Sequence, residues 1–403
     1  MRILVYSMVY PPDPASVGQH IADVVSGAVS RGHKVRVITA NRGYDDPSIR
    51  YPSYELRQGA EIIRLGLSSF GKKSYIARVL GQLSFTFQGL LKGITGFHPD
   101  VILVSTIPPF GVFAAWLLSK LRNSSLIYWV MDINPDEAIA MGLVSSNSLS
   151  ARIMERLNRE VLKSAKSVIT LDPYMARKLK LKLPFDKHIS VIPPWPHEDK
   201  ITKTIRGGLH FRKKHKLEDK FVIMYSGNHS WVHPLDTLIE AAKKLISRSD
   251  ILFLFVGGGV EKKKVERAIQ EGAPNIRSLP YQSFENLGES LSAADVHVVV
   301  MGEPMVGIVH PCKIYGAMTV RRPLLAIAPD NSHIAEIIDG HGIGFRFNHG
   351  DVEGVVQAIL TIADMDKNER DRMGDKAGAL VRSHFNQALL IKKFINILEQ
   401  SVD

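Results

Sequence analysis

Four loops concentrate residues able to bind anions or move protons. The first runs Tyr10-Pro11-Pro12-Asp13-Pro14-Ala15-Ser16-Val17-Gly18-Gln19-His20, between a strand pattern and a helix pattern. Free N–H groups and the dipole at a helix N-terminus favour an anion such as a diphosphate. Gly18 lets a backbone approach closely, although a plain strand-to-helix connection has the same composition. The second loop, Tyr128-Trp129-Val130-Met131-Asp132-Ile133-Asn134-Pro135-Asp136-Glu137, leaves Asp132 at the end of a strand. Asp136 and Glu137 read as partners of the helix dipole. Asp132 precedes that helix and is either a functional carboxylate or a loop-capping acid. The third, Tyr225-Ser226-Gly227-Asn228-His229-Ser230-Trp231-Val232-His233-Pro234, offers a bare backbone at Gly227 and donors on Asn228, His229 and His233. The fourth spans Gly302-Glu303-Pro304-Met305-Val306-Gly307-Ile308-Val309-His310-Pro311-Cys312-Lys313 and ends on a lysine at a helix start, an arrangement suited to phosphate or to a solvated lysine.

Strands alternating with helices must position these loops. Short apolar strands are expected at 2–7, 35–39, 61–65, 101–105, 126–130 and 167–171, with a helix over 18–30. The pattern stops at Ile192-Pro193-Pro194-Trp195-Pro196, because proline fixes φ and cannot donate to a ladder. It resumes with strands at 221–226, 251–256, 276–279, 296–300, 324–328 and 343–347. Helices are expected over 234–247, 263–271, 286–293, from 313 to 319, over 352–364, and over 369–397 with a break near Ser383. Alternation of this kind means crossover units and parallel sheets with helices on both faces. The expected fold is α/β, two doubly wound domains over 1–198 and 199–384, with a last helix at about 385–403 returning to the first. Ligands in such sheets bind beyond the carboxyl ends of the strands, in a cleft shared by the two domains.

Composition excludes several classes. Hydrophobic residues make up 45% and charged residues 23% of 403 residues, so the chain is neither disordered nor collagen-like. The single cysteine, Cys312, forbids an intrachain disulfide and reads as a packed thiol, in keeping with a reducing, cytoplasmic compartment. The uncharged stretch 101–119 is cut by Pro108-Pro109 and Gly111, which favours a strand, a turn and a packed helix over a membrane span. A formal net charge of +11 favours anionic partners. The basic clusters Arg212-Lys213-Lys214-His215-Lys216 and Lys262-Lys263-Lys264 lack a groove-reading motif, so they read as solvated helix faces and no nucleic acid is expected. Asp364-Met365-Asp366 reads as a turn and cap, and no residue spacing calls for a metal. Gly257-Gly258-Gly259 ends a strand without a dinucleotide fingerprint.

Taken in order, these loops resemble the GT-B glycosyltransferases, in particular glycosyltransferase family 4 and its branch of bacterial colanic-acid and polysaccharide enzymes. Matching stretches include Tyr10-Pro11-Pro12 through Gly18, Arg31-Gly32-His33-Lys34-Val35, Asp132-Ile133-Asn134-Pro135-Asp136 and Ile192-Pro193-Pro194-Trp195. Tyr225-Ser226-Gly227-Asn228, Phe255-Val256-Gly257-Gly258-Gly259, Ala294-Asp295-Val296 and Pro311-Cys312-Lys313-Ile314-Tyr315 match as well. The resemblance implies a nucleotide-sugar donor, a UDP- or GDP-sugar, on the second domain and a glycan or lipid-linked acceptor hydroxyl on the first. It implies no cofactor and no metal. Gly18 would meet the donor diphosphate, and Gly227, Asn228, His233, Gly258 and Lys313 would surround it from the other side. Leu279 and Tyr281 would line the base pocket. Asp132 and Lys313 are the implied catalytic residues. Two departures stand out. Asn228 and His233 replace an arginine and a lysine common among relatives, and Ile308 and Gly316 occupy the positions of two glutamates. Glu303 or His310 is the expected stand-in.

The resemblance implies transfer with retention at the anomeric carbon, the leaving phosphate taking the acceptor's proton and Lys313 stabilising the developing charge. Asp132 would orient the acceptor or stabilise positive charge on the sugar. A non-catalytic nucleotide-sugar-binding subunit that has lost the two acids is the alternative function, and a GT-B epimerase a third. Residues 66–99 hold no Asp or Glu, and Lys72, Lys73, Arg78 and Lys92 sit there among large apolar residues. This segment reads either as basic amphipathic helices on an anionic membrane at the inner face of the cell membrane or as helices packed on the sheet.

Overall fold

The computed structural model describes residues 1–44, 46–68, 70, 75–197, 201 and 207–402. The chain forms two compact units, one of Met1–Pro193 with Ala388–Asp403 and one of Pro194–Gln387. The division falls inside the proline-rich segment.

The first unit is built on eight strands. They are β1 (Arg2–Tyr6), β2 (Lys34–Ala40), β3 (Tyr54–Arg57), β4 (Ala60–Leu65), β5 (Val101–Ser105), β6 (Ser125–Val130), β7 (Ser167–Thr170) and β8 (Ile189–Val191). Their order is β3-β4-β2-β1-β5-β6-β7-β8, and only β3 runs antiparallel to its neighbour. The central strands are continuous apolar runs because helices cover both faces. The helix Pro173–Leu181 starts with proline in its first turn behind Asp172, whose carboxylate accepts from Met175 N at 2.8 Å.

The last helix, Gln387–Gln400, belongs to this unit. Phe394 lies 4.5 Å from the buried ring of Trp129. A Cβ on Gly27 would stand 2.5 Å from Ile391 Cγ2, so the helix Ser16–Ser30 meets the last helix only because that position is bare. Arg31 and His33 reach Glu399 at 2.8 and 2.9 Å.

The second unit has six parallel strands: β9 (Phe221–Asn228), β10 (Ile251–Gly258), β11 (Ile276–Leu279), β12 (Val296–Val300), β13 (Leu324–Ile327) and β14 (Gly344–Phe347). Their order is β11-β10-β9-β12-β13-β14. One face packs on the helices Asp236–Lys244 and Val352–Asp364 and the other on residues such as Phe211 and Leu291. Asp295 accepts from Val222 N at 2.8 Å and from Arg212 at 2.5 Å, locking β12 beside β9.

The structure departs from the sequence reading in several places. Arg212 is an internal ion-pair partner and not a solvated lysine-cluster member, because Asp295 faces it. β3 joins the sheet as an antiparallel edge strand, alternating exposed and half-buried residues without an apolar run. The helix expected over 234–247 is confined to Asp236–Lys244, since Pro234 opens the turn before it and Arg248 ends the segment by pairing with Asp250 at 2.8 Å. The long terminal helix is two helices, Lys367–His384 and Gln387–Gln400, parted at Phe385 and Asn386. Asp366 caps the first of them, accepting from Asn368 N at 2.7 Å.

Candidate functional site

The carboxyl ends of β9 and β10 carry the second unit's site. Their register sets Gly257 opposite Gly227 and Gly258 opposite Asn228. A Cβ on Gly257 would lie 2.0 Å from the Gly227 carbonyl oxygen, so the two strand ends touch backbone to backbone. Gly227 has φ +132°, a conformation that favours glycine, and its missing side chain makes room for the stem of Lys313, whose Cε would lie 2.5 Å from a Cβ there. Lys313 opens the helix Lys313–Thr319 and reaches back across the strand end. Its Nζ donates to Tyr225 Oη at 2.5 Å and to the Asn228 carbonyl at 2.8 Å, and it lies 4.6 Å from the centre of the Tyr225 ring. Tyr225 Oη in turn donates to the Asn228 carbonyl at 2.9 Å.

The lysine is held by neutral oxygens and a ring face. Among the described residues no carboxylate pairs with it. Burial therefore pulls its pKa down to about 7. The neighbouring histidines are kept neutral by the same cause. His229 is fully buried, its ring 5.1 Å from that of Tyr225, and burial followed by the Lys313 charge lowers its pKa to about 4. The carbonyls of Gly258 and Gly227 face its ring and oppose that shift in part. His233 is buried and lowered well below the ordinary value for the same two reasons. The arrangement is a compact, preorganised cation with neutral donors around it and a bare backbone in front, the chemistry of an anion site.

The remaining residues expected here fall into two groups. Tyr281 is exposed, its ring edge lies over Gly258, and its hydroxyl donates to the Gly258 carbonyl at 3.1 Å. Leu279 ends β11, half-buried beside this edge. Lys262 donates to the Gly257 carbonyl at 3.1 Å, which draws one member of the basic cluster to the strand end. By contrast His310 is buried, bonded through Nε2 to Tyr315 Oη at 2.8 Å and stacked on that ring. Glu303 is exposed in a short 3-10 turn of the loop before Lys313. Ile308 is buried, and a Cβ on Gly316 would face the side chains of Leu291 and Ile201. Cys312 is half-buried, and its thiol approaches the His310 carbonyl at 3.5 Å. Tyr225 opens the third loop in the sequence, but nothing in its spacing marks it as the lysine's anchor.

In the first unit, the loop after β1 is fastened by buried polar groups. Asp13 accepts from Ala15 N at 2.9 Å and Tyr44 N at 2.7 Å, and Arg64 donates to the Pro11 carbonyl at 2.8 Å and to Glu55 at 2.6 Å. Gly18 is buried, and a Cβ there would stand 3.1 Å from the backbone of Val9 and Tyr10. Helix-to-loop packing thus accounts for the glycine by itself. The loop after β6 is fastened by Asn158, which donates to the Asn134 carbonyl at 2.8 Å, and by Lys182, which bridges Asp136 and Glu155 at 2.6 Å each. Asp132 is half-buried. Burial, with the charge of Glu137 second, holds its pKa well above the usual carboxylate range. Among the described residues no three His, Cys, Asp or Glu side chains gather as a metal site.

Comparison with known proteins shows the family and the fold. The model of the glycosyl transferase 4-like domain matches residues 16–195, and that of the glycosyl transferases group 1 matches residues 220–365. The chain belongs to the GT-B glycosyltransferases of the family 4 type. WcaI of Escherichia coli strain K12, named as a colanic acid biosynthesis glycosyl transferase, is 26% identical over 372 residues, covering 89% of this chain and 91% of that one. Among solved structures, sucrose-phosphate synthase from Thermosynechococcus elongatus superposes with a TM-score of 0.79 at 16% identity, over 99% of this chain and 98% of its own. Anabaena HepE in complex with UDP-glucose superposes with a TM-score of 0.73 at 15% identity, over 99% and 100%. These structures establish the GT-B fold, two Rossmann-like halves, for this glycosyltransferase.

Proposed function

We propose that this glycosyltransferase moves a sugar from a nucleotide-sugar donor to a hydroxyl of a glycan or lipid-linked acceptor, with retention and without a metal, in the assembly of a cell-surface polysaccharide or glycolipid. The observation that carries the reading is Lys313, a half-buried cation without a carboxylate partner among the described residues, fixed at the bare end of β9. Its natural complement is a diphosphate. The colanic-acid name of WcaI supports the polysaccharide setting, and the UDP-glucose bound to HepE supports a UDP-sugar as the first donor to try, with GDP-sugars next.

In the proposed reaction the bond from the anomeric carbon to the diphosphate oxygen breaks. The acceptor oxygen bonds to the same face of that carbon. Its proton passes to the departing phosphate. Lys313 stabilises the charge that develops on the leaving group. Tyr281 and Leu279 would hold the base, and Gly227, Asn228, His233 and Gly258 the phosphates and sugar, with Glu303 the exposed acid available to a sugar hydroxyl. Asp132 would serve on the acceptor side, where burial raises its pKa and favours a carboxyl able to hold a proton.

A second reading is favoured by one observation. Ile308 is buried and position 316 faces apolar side chains, so neither offers an acid to a sugar. A binding subunit without turnover would need none. Incubation with UDP- and GDP-sugars and lipid-linked oligosaccharide acceptors, followed by proton NMR of the anomeric signals, separates the readings. A new glycoside with the donor's anomeric configuration supports the proposal. An inverted product refutes retention, donor binding without turnover supports the subunit reading, and an isomerised donor refutes both.

A further inference from the structure

Of the four tryptophans, Trp129 and Trp195 are buried, Trp116 is half-buried and Trp231 is 51% exposed. Folding ordinarily takes most of an indole out of water, so an exposed one on a loop of the anion site calls for a reason. Trp231 stands between β9 and the helix Asp236–Lys244. Its loop is fixed on both sides of the ring. Before it, His229 N donates to the Gly258 carbonyl at 2.8 Å, and Glu261 N donates to the His229 carbonyl at 2.8 Å. After it, Gly302 N donates to the Val232 carbonyl at 2.9 Å, and His233 N closes a turn on the Ser230 carbonyl at 2.9 Å. Val232 and His233 are buried, so they anchor the chain while the indole is left outside. A Cβ on Gly302 would lie 3.2 Å from the Val232 carbonyl oxygen and from Pro234 Cδ, so the loop rests on the backbone that follows β12. The next residue along that backbone, Glu303, is exposed.

Position across the sheet says what the ring meets. From β9 the chain steps outward to β10 and β11, then returns to β12 on the other side of β9. The switch point of this sheet therefore lies between β9 and β12, where ligands of such sheets bind. Tyr281 covers Gly258 at the end of β10, and Lys313 crosses Gly227 at the end of β9. The Trp231 loop is bonded to the end of β12, next to Glu303. A nucleotide sugar has the same order of parts: a flat base, a diphosphate, a sugar ring. One face of a pyranose is a sheet of C–H bonds that stacks on an aromatic ring, and its hydroxyls donate to a carboxylate. An exposed indole beside an exposed carboxylate supplies both. A base is the other flat group of the donor, but two strand spacings, roughly 10 Å, separate β10 from β12, and Tyr281 stands on the β10 side.

We infer that Trp231 is the platform on which the transferred sugar of the donor stacks, with Glu303 accepting from the hydroxyls of that sugar. The inference rests on the donor reading above. The test is calorimetric affinity of the full chain for UDP and GDP and for UDP-glucose, UDP-N-acetylglucosamine and GDP-mannose, with tryptophan emission recorded alongside. In the wild type a nucleotide sugar should move the emission of the exposed indole to shorter wavelength, and the bare nucleotide should not. Trp231→Ala should bind that nucleotide sugar ~10-fold more weakly, because the sugar face loses its apolar cover, while its affinity for UDP or GDP holds. Trp231→Phe should restore part of the loss. The melting temperature of both variants should hold, since the indole is exposed. If the wild type binds none of these ligands, the donor reading falls and this inference with it. If nucleotides bind and Trp231→Ala leaves nucleotide-sugar affinity unchanged, this inference alone is overturned. Equal losses for UDP and UDP-glucose would assign the indole to the base instead. Emission shifted by a lipid-linked oligosaccharide and by no nucleotide sugar would assign it to the acceptor.

Discussion

Donor binding should take up a proton near neutral pH, and Lys313 should be where it lands. In the free protein burial sets the lysine at about 7, with neutral partners only. A nucleotide sugar carries a fully ionised diphosphate diester whose charge does not change in this range. Brought against Nζ, it restores the charged form. With the free pKa at about 7, the charged fraction falls by ~10-fold between about pH 6 and about pH 8, and donor affinity should fall by the same factor. Proton uptake per donor should rise from ~0.1 to ~0.9 over the same interval. His229 lies at about 4 and stays neutral throughout, so it adds nothing to the linkage. The assay is titration calorimetry with UDP- and GDP-sugars at both pH values, in two buffers of different ionisation enthalpy. Lys313→Arg is always charged and should bind without pH dependence, whatever its affinity. Lys313→Ala should lose binding. Equal wild-type affinity at both pH values, with no proton uptake, would refute the reasoning from burial to charge.

Other outcomes follow from the same contacts. Tyr225→Phe deletes the hydroxyl that holds Lys313 and should weaken donor binding by about 1 kcal/mol, while thermal stability changes little because the ring stays in place. His229 and His297 sit at about 4 through burial, against an ordinary 6.5. A folded-state pKa lowered in this way gives stability that is whole above about 6.5 and is lost as the pH falls through about 4, which melting curves across that window would show and His297→Gln should flatten. Gly89→Ala should cost about 1–3 kcal/mol in denaturant unfolding, because the new methyl meets the buried Tyr6 ring. Phe394→Ala should cost about 3–5 kcal/mol by the same measurement, through loss of its contact with Trp129.

The sheets were legible because their strands are continuous apolar runs, such as Val101–Ser105 and Val296–Val300, that fit only a parallel sheet covered on both faces. β3 was hidden because an edge strand carries no apolar run, and β8 because three residues hold no period. The loop glycines and Lys313 could be picked out by type and position. The contacts that give them meaning could not. Nothing in the spacing says that Gly227 is bare to admit the Lys313 stem, or that Tyr225 anchors it from within a strand. His310 could be nominated as a stand-in acid because sequence does not show that Tyr315, five residues on, takes its ring nitrogen. The helix Tyr75–Ile94 was readable as apolar and basic, but only packing shows that the glycine side is the buried one.

The central claim is that the second unit holds a nucleotide-sugar diphosphate on Lys313. Thermal-shift measurements against UDP-, GDP-, ADP- and dTDP-sugars, on the wild type and Lys313→Ala, test it most directly. The account predicts a stabilising shift for one nucleotide class in the wild type and none in the variant. A shift of equal size in Lys313→Ala, or no shift for any donor in the wild type, would contradict it.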